Sequence, residues 1–282
     1  MILVTGAGGQ LGTEILKQSK KFTFKSIFAD KKKLDISDQN KIKSFIKKNK
    51  IKIIINTAAF TKVDLSEKKK KLCMNINYNS VKKIVNICKK NNILLIQIST
   101  DYVFYGKSKN SYTERSKENP KNLYGLSKFY ADKFITKNLD KYIIIRSGWI
   151  FSRNSNNFIN FIKTNIDQQK KMNLIHNQFG NPTSARSLSM IILQFSEKYL
   201  NENFLKYGIY NFCNFPSTNW YNFGKFYIRN VLKLKNLKIN KISWKKLNLL
   251  AKRPLSTKLN CNKISKYLKI KKIYWKDELF KL

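Results

Sequence analysis

The sequence is short of the side chains that commonly hold a transition metal. It has one histidine, His176, and four cysteines, Cys73, Cys88, Cys213 and Cys261, with no Cys-x-x-Cys pair among them. Structural zinc is held by Cys and His at short, clustered spacings, so no zinc site is expected. The cysteines suit reduced, buried thiols in a cytoplasmic protein. No apolar run approaches the length of a membrane span, and the chain opens on a strand rather than on a signal-peptide pattern. Acids are scarce as well: 16 Asp and Glu face 57 Lys and Arg, a formal net charge of +41. Such a charge attracts polyanions. However, Lys, Asn, Ile, Phe and Tyr are inflated together, and all have A/T-rich codons. The lysines are also spread along the chain rather than gathered in a tail. The charge therefore reads as solvated surface with salt-sensitive sticking to RNA, and neither a specific nucleic acid nor a membrane is an expected partner.

Apolar residues are plentiful, at 42% of 282 residues, which is enough for one large domain or two modest ones. Met1 to Thr5 reads as a buried strand. The glycines Gly6, Gly9 and Gly12 follow at once, with Gln10 and Leu11 between them, and Thr13 to Lys20 reads as helix. Strand, glycine turn and helix in that order suit a dinucleotide. The glycines let the backbone approach a pyrophosphate, and the helix start offers free N–H groups and a positive dipole. Phe24 to Ala29 reads as a second strand ending at Asp30, an acid placed to bond ribose hydroxyls as in NAD sites. Lys31, Lys32 and Lys33 follow and suit the extra phosphate of NADP. The two signals conflict, so NADPH and NADH both stay open. Ser37 or Asp38 suits the N-cap of a helix to Lys48.

Ile51 to Ile55 and Ile93 to Ile98 read as further strands. The first runs into Ala58, Ala59 and Thr61, and the second into Thr100 and Asp101. Tyr78 to Lys90 reads as helix, and Tyr142 to Ile145 as a fifth strand. This alternation predicts an α/β fold with a doubly wound parallel sheet, in which ligands bind at the carboxyl ends of the strands. Tyr124 and Lys128 are four residues apart, so on a helix they share one face. A free tyrosine is a weak acid–base catalyst at neutral pH, and a nearby ammonium favours its phenolate. Thr100, the glycine loop and the Tyr124 helix should then converge on one crevice. From about Phe151 the alternation loosens, with a helix expected from Asn156 to Gln169. Residues 151–282 therefore read as a smaller, mainly substrate-binding domain after a dinucleotide-binding domain at 1–150. The lone histidine, His176, reads as an incidental packed residue.

These motifs together resemble the extended short-chain dehydrogenase/reductase superfamily and, within it, the dTDP-4-dehydrorhamnose reductase family. The resemblance runs through Gly9-Gln10-Leu11-Gly12, Leu34 to Asp38, Asn56 to Asp64, Ser99 to Gly106 and Tyr124 to Lys128. It continues through Arg146 to Trp149, Gln178 to Thr183, Gly208 to Tyr210 and Arg253-Pro254. The departures are Phe60 for tyrosine, and Tyr105 and Asn177 for aspartates. The resemblance implies a Rossmann domain whose sheet is completed by segments near 172–176 and 208–213. It implies a C4-ketone reductase of dTDP-4-dehydro-L-rhamnose with NADPH or NADH as coenzyme. Thr100, Tyr124 and Lys128 would be catalytic. Gly6, Gly9, Gln10, Leu11, Gly12, Asp30, Asp35, Ile36, Ala58, Ala59, Thr61, Tyr124 and Lys128 would hold the cofactor. Thr100, Asp101, Trp149 and Arg253 would meet the dTDP-sugar, with the Arg253 fork suited to its diphosphate. Arg146 would be structural. A homodimer stays open, but so acid-poor a chain gives no support to magnesium or to a metal-bridged dimer. The alternatives are a reductase or epimerase of another nucleotide sugar, and a non-catalytic regulatory subunit on the same fold.

Overall fold

The computed structural model describes residues 1–153, 157–166 and 171–282. Five parallel strands come first: β1 (Ile2–Thr5), β2 (Ser26–Ala29), β3 (Ile53–Asn56), β4 (Leu94–Thr100) and β5 (Tyr142–Ser147). A sixth strand, Gly208–Asn211, pairs with β5, so the sheet order is Gly208–Asn211, β5, β4, β3, β1, β2. Every pairing in this sheet is parallel. Ile, Leu and Val fill β1, β3 and the first half of β4, and those residues are almost fully buried. Strands covered by helices on both faces read as continuous apolar runs, and these do. Two apolar clusters lie on the two faces of the sheet. The first face carries α1 (Gln10–Ser19) packed on the helix Ala185–Glu202; the second carries α2 (Gln39–Asn49), Ser80–Lys90 and Leu123–Asn138.

Chain order reverses between β1 and β3, which opens the crevice expected of a doubly wound sheet. The helix after the glycine loop starts at Gln10 rather than Thr13, with Gly9 as N-cap, so Gly12 lies inside its first turn. Asp38 caps α2 by accepting from the Asn40 and Lys41 amides. The helix expected at Tyr78 starts at Ser80. It is preceded by two short helices, Val63–Lys68 and Lys70–Met74, and by a wider turn at Asn75–Asn79.

One segment departs from expectation. Lys171–Ile175 does not join the main sheet; it pairs in parallel with Lys238–Ile242 as a separate two-stranded sheet. Its burial alternates, with Met172 and Leu174 inside and Lys171 and Asn173 exposed. A strand buried on one face only cannot sit inside a sheet covered on both. A third apolar cluster joins these strands to Phe151, Ile159, Ile162, Phe223 and Trp275. The helix expected over 156–169 is observed as Phe158–Ile166; Asn156 and Asp167 to Gln169 lie outside the described residues.

Arg146, on β5, is completely buried. Its Nε donates to Asp132 Oδ2 at 3.1 Å and its Nη2 to Glu118 Oε1 at 2.8 Å. Ser99 on β4 donates to the same Asp132 oxygen at 2.9 Å. The cluster ties β4, β5 and the Leu123–Asn138 helix together beneath the carboxyl edge, the structural role expected of Arg146.

Candidate active site

The glycine loop leaves β1 with Gly6 at φ +70°, a region L side chains rarely adopt. A Cβ on Gly6 would sit 2.5 Å from the Ala58 amide nitrogen, so only glycine lets the loop cross the end of β3. Gly9 donates to the Gly6 carbonyl at 2.9 Å, closing the turn. No side chain caps the start of α1, so its first amides face outward with the positive end of the helix dipole. The Gln10 side-chain oxygen accepts from Asn157 Nδ2 at 3.1 Å, linking this loop to the second half of the chain.

Beside the loop, Ala7, Gly8, Phe28, Asp30, Lys32 and Lys33 line an open cleft. Asp30 Oδ1 accepts from the Lys33 amide at 2.9 Å, and Lys33 Nζ donates to the Phe28 carbonyl at 3.2 Å. The Lys33 ammonium is thus turned onto backbone, while Lys32 stays exposed at the cleft wall. Asp35 accepts from the Ser37 amide, which holds its carboxyl below the usual range. Ile36 is buried in the apolar cluster against which Ala58 also packs. Ala59 is half-buried, and Thr61 is exposed in the loop after β3.

At the end of β4, Thr100 Oγ1 donates to Asp101 Oδ1 at 3.2 Å and accepts from the Tyr102 amide at 3.2 Å. The Leu123–Asn138 helix delivers Tyr124 and Lys128. Asn122 caps it by accepting from the Gly125 amide at 2.8 Å, and donates to the Lys252 carbonyl at 2.9 Å. A Cβ on Gly125 would fall 2.3 Å from the Tyr102 carbonyl oxygen, so this glycine lets the helix close on the end of β4. The Tyr124 ring stands edge-on to Tyr102, 6.1 Å between centroids. The Thr100 hydroxyl faces the Tyr124 phenol and works towards its ionised form.

The acidity of Tyr124 runs opposite to expectation. Burial pushes its phenol up, outweighing Thr100, and Lys128 is not among the groups that lower it. Lys128 is itself buried and donates to the Ile98 carbonyl at 2.7 Å. Burial pulls its ammonium down to about 8, with the Asp132 charge working the other way. Desolvation disfavours charge on both groups. The result is a protonated phenol, the form needed for giving a proton rather than taking one.

The Arg253 fork is held by a carboxylate. Nη1 and Nη2 donate to the two Asp64 oxygens at 3.0 and 2.6 Å. The guanidinium also faces the Tyr102 hydroxyl. Trp149 has φ +49°, rare for a bulky residue and costing about 1–3 kcal/mol. Its ring stacks on Trp220 at 3.6 Å and lies against Gly180. Gly148 next to it touches Asp101, so the tryptophan pair borders the Thr100 end of the crevice. His176 is exposed, not packed. No His, Cys, Asp and Glu cluster fit for a metal occurs among the described residues.

Sequence reasoning missed several supports. Asp64 stands inside a motif, but its partner is 189 residues away. Asn77 bonds the Phe60 backbone and donates to Ser127 Oγ at 3.0 Å, fixing the loop after β3 to the Tyr124 helix. Trp220 is visible as an aromatic, but nothing local to it indicates a stack on Trp149.

The family described as RmlD substrate binding domain matches residues 1–282. A dTDP-4-dehydrorhamnose reductase of Aggregatibacter actinomycetemcomitans is 30% identical over 99% of this chain and 96% of that protein. Among solved structures, a Bacillus anthracis dTDP-4-dehydrorhamnose reductase in complex with NADP aligns with TM-score 0.92 at 28% identity, covering 99% of this chain and 97% of that one. A Clostridium acetobutylicum dTDP-4-dehydrorhamnose reductase aligns with TM-score 0.91 at 30% identity and the same coverage. Matched along its whole length, the chain belongs to the RmlD family of dTDP-4-dehydrorhamnose reductases.

Proposed function

We propose that this chain is an NAD(P)H-dependent reductase that converts the C4 ketone of dTDP-4-dehydro-L-rhamnose to the alcohol of dTDP-L-rhamnose. The observation that carries the reading is the Thr100–Tyr124 hydroxyl pair, set at the carboxyl edge of the sheet beside an uncapped helix start. The cradle suits a dinucleotide: Gly6 admits no side chain, and Asp30 and Lys32 share the cleft beyond it. A bound nicotinamide would supply the hydride.

The protein's own residues do the rest. Tyr124 gives its proton to the ketone oxygen as C4 becomes tetrahedral. Thr100 donates to the same oxygen where negative charge develops. Lys128, buried and bonded to the Ile98 carbonyl, would orient the nicotinamide ribose. Gly6, Gly9, Gln10, Leu11 and Gly12 form the pyrophosphate turn, with Ala58, Ala59 and Thr61 opposite. Asp30 and Lys32 would meet the adenosine ribose, with Asp35 and Ile36 on the same side of the cofactor site. Trp149, stacked on Trp220, walls the sugar subsite. Arg253, held by Asp64 beside the Tyr102 hydroxyl, meets the dTDP-sugar. Residues 1–150 serve mainly the coenzyme and 151–282 mainly the sugar nucleotide, in the cytoplasm where both would be supplied.

Nicotinamide absorbance tests this with purified protein and dTDP-4-dehydrorhamnose, with NADPH and NADH in parallel. Substrate-dependent oxidation is expected with at least one coenzyme. No turnover with either, from folded protein that binds nucleotide, would move the reading to another ketosugar.

A further inference from the structure

Thr100 has one proton to give, and with Asp101 ionised that proton is held away from the reaction. It is donated to Asp101 Oδ1, while Thr100 Oγ1 accepts from the Tyr102 amide. An ionised carboxylate can only accept, so it holds the threonine in this orientation. A protonated carboxyl can donate to Thr100 Oγ1 instead and release the threonine proton towards the ketone.

Asp101 is built to be held in place. It is 2% exposed, and Gly148 lies so close that a Cβ there would fall 2.3 Å from its Oδ2. No arginine or lysine pairs with it among the described residues. The groups facing it are hydroxyls, amides and a thiol: Thr100 and Tyr102 from its own segment, Thr257 from the C-terminal half, Tyr124 from its helix, and Cys213 from the end of the sixth strand. Burial pushes the phenols of Tyr102 and Tyr124 and the thiol of Cys213 up, so all three stay neutral near pH 7. Burial also raises the Asp101 carboxyl to about 7, against the hydrogen bonds from Thr257 and Thr100 that favour its charge.

We propose that Asp101 is a positioning residue that works as a neutral carboxylic acid, donating to Thr100 so that the Thr100 proton faces the ketone. The proposal rests on the ketone-reduction reading above. It differs from a sugar contact, because the carboxyl acts through Thr100. No bond beyond those of the reduction is made or broken: Asp101 keeps its proton and only the hydrogen-bond direction reverses.

The pH profile of kcat at saturating substrate and NADPH tests it. Wild type should lose activity above about pH 7, at up to about tenfold per pH unit. In Asp101→Asn the amide donates to Thr100 at every pH and cannot titrate. The limb near 7 should vanish, leaving only loss from about 8 upward as Lys128 deprotonates. In Thr257→Val, losing a donor to the charged form should move the limb upward. A limb with the same midpoint in wild type and either variant overturns the proposal, whatever the height of the profile. A readout independent of turnover is a carbon-13 NMR titration of labelled aspartate carboxyls. The signal absent in Asp101→Asn should titrate near 7, and titration in the ordinary carboxylate range overturns the proposal. If wild type fails to turn over, the reduction reading falls, and this titration still decides the state of Asp101.

Discussion

Replacing Tyr124 with phenylalanine lowers kcat by about 10²–10⁴-fold, the range removed with a general acid, and leaves the fold intact. The ring keeps its edge-on contact with Tyr102, so packing survives. Only the proton donor to the incipient alkoxide is lost. The loss should fall on kcat rather than on KM, because the proton moves only in the transition state. Steady-state NADPH oxidation with circular dichroism as the folding control measures it. A loss below about tenfold would remove Tyr124 from the chemistry.

The second large effect is on stability. Arg146→Met removes the fully buried cation that bonds both acids of its cluster and leaves the buried Asp132 without its ion-pair partner. Breaking a buried pair on one side costs about 3–5 kcal/mol, against a total stability of about 5–15 kcal/mol for a typical domain. The cation–π contact of Arg146 with Phe104, 5.4 Å away, goes too. Urea unfolding should show a lowered midpoint. Lys133, paired with Glu118 at 3.4 Å, is largely exposed, and Lys133→Ala should cost under about 1 kcal/mol. Equal losses in the two variants would contradict the assignment of the cluster's strength to its buried members.

Much of this was legible in the sequence because it is local. An apolar run, three glycines and a helix start identify a dinucleotide turn without further context. The β–α alternation up to Ser147 gives the sheet, and carboxyl-end placement brings Thr100 and Tyr124 together. What escaped depends on distant partners. The pairing of Arg253 with Asp64 from across the chain has no local signal. Lys171–Ile175 reads as another sheet strand, and only its one-sided burial assigns it to the outer pair. The acidity of Tyr124 could not be read from its spacing to Lys128. The spacing gives proximity along a helix, but how dry the site is determines the sign. The left-handed backbone of Trp149 and its stack on Trp220 are likewise tertiary facts.

The most direct test of the central claim follows the hydride itself. NADPH deuterated at the transferable nicotinamide position is mixed with dTDP-4-dehydrorhamnose and the enzyme, and the sugar product is examined by NMR and mass spectrometry. The account predicts dTDP-rhamnose carrying one deuterium, bonded to C4, and none from Tyr124→Phe on the same timescale. Product with no deuterium at C4, or deuterium at another carbon, would contradict a hydride reduction of the C4 ketone.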